Sequence, residues 1–169
     1  MTIRTLAAAA VAAFLIAGPA FTQAQDRPPA ELKAAHDLFD DGLAASIREG
    51  SAATRATFTF DGVYPDETEA MLQAFDAGLP AQVVVLQNIT AEAAADRWTL
   101  DQLTHPDKIP EAEANAMFEV LSPRMHAQGE HFGAQVMKIG CQVRATPSTR
   151  CKALLDFVAT VEAEWERGS

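Results

Sequence analysis

The sequence predicts an α+β fold: a ferredoxin-like βαββαβ sheet with two helices, plus a leading helix and a disulfide-tied C-terminal helix. Three observations carry this expectation. Residues 55–60 alternate, with Ala56, Phe58 and Phe60 on one side and Thr57 and Thr59 on the other, a period-two pattern. Val83-Val84-Val85-Leu86 is a β-branched run of strand character. Between and after such segments, apolar residues return at helical spacing, so that the order from 55 to about 139 reads strand, helix, strand, strand, helix, strand.

The chain opens with Met1-Thr2-Ile3-Arg4, an apolar run from Leu6 to Ala17, and the small residues Thr22 and Ala24. That is the layout of a secretory signal peptide over residues 1–24, cleaved after Ala24 or alternatively after Ala20. The run spans about 18 Å as a helix, short of the ~30 Å hydrocarbon core of a bilayer. A periplasmic location follows as the expectation, with a mature chain of about 145 residues, enough for one domain.

Residues 25–54 are expected to hold a short lead-in and a helix, with Pro29 in its first turn and Leu32, Ala35, Phe39, Leu43 and Ile47 along one face. Asp40-Asp41-Gly42 allows a division into two shorter helices. After the first strand, Asp61-Gly62 makes a turn. Pro65-Asp66-Glu67 then opens a helix that buries Met71, Leu72 and Phe75 and stops at Gly78-Leu79-Pro80. Residues 82–89 supply the next strand, and residues 91–104 a helical turn followed by a strand from about 97 to 104. Pro106 and Pro110 bracket a loop. The following helix buries Ala116, Met117, Val120 and Leu121, kinks at Pro123 and stops at Gly129. Residues 131–143 read as a strand with Gln135, Met137, Ile139, Cys141 and Val143 on one side and Gly140 at a bulge, closing a core of residues 55–145. Residues 146–169 form the last helix. Thr146-Pro147 begins it, and Cys151, Leu154, Leu155, Val158, Val161 and Trp165 share a face.

Loss of residues 1–24 removes one basic residue, Arg4, so a net charge of −10 becomes about −11. Such a surface repels phosphates and anionic headgroups, which disfavours nucleic acid as a partner and membrane insertion after cleavage. Cys141 and Cys151, an even pair in an exported chain, are expected to form a disulfide. Closing a loop of about eleven residues stabilises by roughly 3 kcal/mol on the chain-entropy account.

The acidic composition, the leading helix, the turn Glu49-Gly50-Ser51 and a βαββαβ core from Thr57 to about Met137 together resemble the ribonuclease E inhibitors called regulator of ribonuclease activity B. The likeness covers about half of the chain and rests on element order and composition. It implies the ferredoxin-like fold and non-enzymatic binding to a cytoplasmic ribonuclease. The export signal and the added segment from Cys141 to Trp165 depart from that family, so no site residue carries over.

Candidate chemistry is sparse. His126, Glu130 and His131 are a possible zinc set of two imidazoles and a carboxylate, although their spacing is not that of a His-Glu-x-x-His helix. His105-Pro106-Asp107 offers a His/Asp pair that is equally ordinary turn material. Asp61, Asp66, Glu67 and Glu69 are acids for calcium or, more simply, for a helix start. Arg144, Arg150 and Lys152 form the one local basic group. Ser46, Ser122 and Ser148 lack a Gly-x-Ser-x-Gly setting, and phosphate-cradling loops and Cys-x-x-Cys-His are absent, so no cofactor is expected. Three functions remain in order: a non-catalytic domain that binds or regulates another envelope protein, a small-ligand carrier using Phe58, Phe60, Trp98 and Phe132, and a metal-assisted enzyme using His126 and His131.

Overall fold

The computed structural model describes residues 29–57 and 59–168. The expected signal peptide lies outside them, as does Phe58. Every regular element among the described residues is helical: α1 (Pro29–Thr57), α2 (Pro65–Ala95), α3 (Leu100–Thr104), a 3₁₀ turn (Pro106–Lys108), α4 (Glu111–Cys141) and α5 (Thr149–Gly168). None of the four expected strands is present in this range. The ferredoxin-like α+β fold, and with it the likeness to the ribonuclease regulators, is therefore corrected to an all-α architecture.

The chain divides into two compact units. One holds Arg55–Gln82 with residues 129–168, the other residues 29–54 with Val83–Gln128. In the first unit α2 buries Glu67, Met71, Ala74 and Gln82, steps of four, three and eight residues that keep to one helical face. Met71 and Ala74 meet Val136, Cys141, Cys151 and Leu154, with Phe75 and Phe132 in ring contact at 5.6 Å. A second small cluster joins Ala134 on α4 to Val158 and Val161 on α5. Cys141 and Cys151 are bonded, with Cα atoms 5.2 Å apart, and tie the end of α4 to the first turn of α5.

Gly140 is where α4 comes closest to α2. A methyl group built on it would lie 2.1 Å from Met71 Cγ and 3.0 Å from both the Glu67 carbonyl oxygen and the Met71 nitrogen. The glycine expected to bulge a strand is thus the contact point of two helices.

The second unit packs α1, through Ala34 and Ala35, against Ile89, Ala91 and Ala94 of α2, Trp98, Leu103 of α3, and Met117 and Leu121 of α4. Phe39 stacks on Trp98 at 6.1 Å. Thr99 and Gln102 close a reciprocal capping box at the start of α3, which is why residues 99–104 are helix rather than the expected strand.

Three local rules misled the strand assignments. Val83, Leu86, Ile89 and Thr90 are buried while Val84, Val85 and Asn88 are exposed, so the valine run follows helical spacing, and tertiary burial overrides β propensity. Residues 131–141 pack on two sides, Ala134 toward α5 and Val136 toward α2, which blurs the 3.6-residue stripe into apparent alternation. Pro80, Pro123 and Gly129 are exposed within helices, where a missing N–H or Cβ disturbs no packed neighbour. The last helix also starts later than Thr146-Pro147. Ser148 is its cap, its hydroxyl accepting from Cys151 N–H at 3.1 Å.

Candidate functional site

The first unit holds a polar knot at the start of α2. Glu67 is fully buried, and its carboxylate accepts from the N–H of Tyr64 at 3.0 Å and of Ser148 at 2.8 Å. One side chain therefore satisfies an orphan donor at the start of α2 and fixes the cap of α5. Burial pushes the Glu67 carboxyl up, but the hydrogen bonds from Ser148 and Tyr64 outweigh it and hold the group below its ordinary value. Arg144 pairs with Asp66 at 2.9 Å and lies 4.6 Å over the Tyr64 ring. These are structural uses for Asp66 and Glu67, and Glu69 holds Gln73 at 3.0 Å.

A second polar group lies between α4 and α5. His131 stacks on Trp165 with ring centroids 4.2 Å apart and planes 6° from parallel. Glu162 Oε1 accepts from Lys138 at 2.7 Å and from Gln135 at 3.1 Å. Gln135 must turn its NH₂ toward that acceptor-only carboxylate, and the same nitrogen lies 3.5 Å from His131 Nε2. Burial pushes the His131 imidazole down, Glu162 opposing, and the net value is below the ordinary one.

The expected zinc set is spread along α4. His126 falls in the second unit, Glu130 and His131 in the first, and His126 and Glu130 are exposed. Among the described residues no group of three or more His, Cys, Asp or Glu is placed to hold a metal ion. His105 sits at the end of α3, where its ring pairs with Asp101 at 3.2 Å. A hydrogen bond from Lys108 keeps the Asp101 carboxyl below its usual value. Phe60 and Phe132 pack in the first unit and Trp98 in the second, so these three carrier residues belong to separate clusters. Ser46 is exposed on α1, Ser148 is the cap just described, and Ser122 lies at the surface of α4.

Ser122 takes part in a shallow, open surface depression. Asn115, Phe118, Glu119, Ser122 and Pro123 line this largely open depression on the second unit's part of α4. Phe118 leaves 54% of its surface in solvent there. Sequence reading missed it because Phe118 sits one residue from the buried Met117, and an apolar residue beside a core position reads as core. No family model matches the chain, and no curated protein or solved structure does either.

Proposed function

We propose that this chain is an exported, non-catalytic domain that binds another protein of the periplasm through α4. The observation that carries the reading is the exposed Phe118 in its open depression, an aromatic anchor rimmed by Asn115, Glu119 and Ser122. A depression open along one helix suits a partner surface. A small molecule is held instead by a concave site that buries most of its area. Among the described residues no helix is long and apolar enough to cross a membrane.

Site-specific photocrosslinking in the host tests it. A photoreactive phenylalanine at position 118 is expected to yield one defined heavier adduct, abolished by Glu119→Arg beside it. The same probe at exposed Ala45 on α1 is expected to yield none. No adduct at 118, or the same pattern from both positions, defeats the reading.

A further inference from the structure

The outer edge of α5 carries a pattern that its packing in the first unit does not use. Arg150, Phe157 and Glu164 stand seven residues apart, with Ala153 and Thr160 between them, so the five form one heptad stripe. All five are exposed, and Phe157 leaves 47% of its surface in solvent, while Leu154, Val158 and Val161 face the core. Neither Arg150 nor Glu164 makes an ion pair or hydrogen bond among the described residues. The stripe is thus an aromatic centre with an uncommitted positive charge two turns to one side and an uncommitted negative charge two turns to the other.

Such a stripe is complementary to itself in one orientation only. About a two-fold axis through Phe157, an antiparallel second copy sets Arg150 against Glu164 at both ends and Phe157 on Phe157. The small Ala153 and Thr160 let the helices approach. A parallel copy would oppose Arg150 to Arg150 and Glu164 to Glu164, and at net charge −10 two copies repel each other overall. We propose that α5 is the interface of a two-fold, antiparallel homodimer of this chain, aligned by Arg150–Glu164 pairs around Phe157. The proposal does not rest on the α4 depression, which lies on the other unit.

One helix pair over about two heptads is at the small end of specific interfaces, so a dissociation constant on the order of ten micromolar is expected. Sedimentation equilibrium of the mature, disulfide-intact chain at about 1 to 300 μM and low salt measures it. The wild type is expected to show a reversible monomer–dimer equilibrium. Arg150→Glu and Glu164→Arg should each weaken it on the order of tenfold, by replacing both attractive pairs with repulsive ones. The double variant should restore it. Native mass spectrometry of an equimolar mixture of the two single variants should show the heterodimer in excess of either homodimer, since only that pairing opposes unlike charges at both ends. All substitutions are at exposed positions, and circular dichroism checks that each variant is folded. A monomer throughout the range overturns the proposal. So does a dimer unmoved by either reversal, or a double variant as weak as the singles.

Discussion

Replacing Gly140 with alanine tests the closest helix contact in the first unit. The added methyl would sit 2.1 Å from Met71 Cγ and 3.0 Å from two backbone atoms of α2. Met71 is fully buried and cannot swing into solvent, and the Glu67 carbonyl and Met71 nitrogen move only if the helix moves. Overpacking of this kind costs about 1–3 kcal/mol. Against it stands the helix preference for alanine over glycine, about 1 kcal/mol. The net expectation is a loss of up to about 2 kcal/mol, or up to roughly 8 °C in melting temperature. Gly129 is the internal control, since it lies in the same helix with nothing within 4 Å of a built methyl. There only propensity acts, and Gly129→Ala should stabilise by about 0.5–1 kcal/mol. Urea unfolding followed by far-ultraviolet circular dichroism and by tryptophan fluorescence measures both. Trp165 reports the first unit and Trp98 the second. If the two alanines shift stability in the same direction, the close crossing at Gly140 is wrong.

Two further expectations concern titrating groups. Glu67→Ala leaves the N–H groups of Tyr64 and Ser148 without their acceptor and should cost about 2–4 kcal/mol, read by urea titration at pH 7. Because the folded-state pKa of Glu67 is depressed, its contribution is present above the unfolded value and is lost as pH falls through the folded one. Glu67→Gln should accordingly flatten the loss of stability below about pH 4.5, and an unchanged acid limb would count against the buried carboxylate. The His131 imidazole is also depressed, so the folded state prefers the neutral ring. Stability it contributes is present above the unfolded value of about 6.5 and falls as the ring protonates. Nuclear magnetic resonance titration should place His131 below the ordinary value. A value above it would contradict the burial against Trp165.

Local sequence was a sound guide wherever one segment decides its own structure. Pro29 and Pro65 begin helices, the acids after Pro65 sit in a first turn, and the face of Cys151, Leu154, Val158 and Val161 is the buried face of α5. The cysteine pair bonds as its even number suggested. The same local rules failed for residues 82–89 and 131–143. There β-branched residues and glycines carry a preference of about 1 kcal/mol or less each. Long helices packed on more than one side easily outweigh such terms. The candidate site was less legible still. Phe118 and Phe157 differ from core phenylalanines only in which way their helix faces.

By itself, then, the sequence determined the acidic charge, the disulfide, the amphipathic ends of the chain and the starts of several helices, because each depends on composition or on residues within a turn of one another. Only the tertiary structure decided that the valine run and residues 131–141 are helical, that Gly140 is a crossing point and that Glu67 joins two helix starts. Those outcomes depend on partners up to 81 residues away, as in the bond between Glu67 and Ser148. Whether an apolar side chain is buried or left for a partner is set by the surface it meets, which no stretch of its own helix contains.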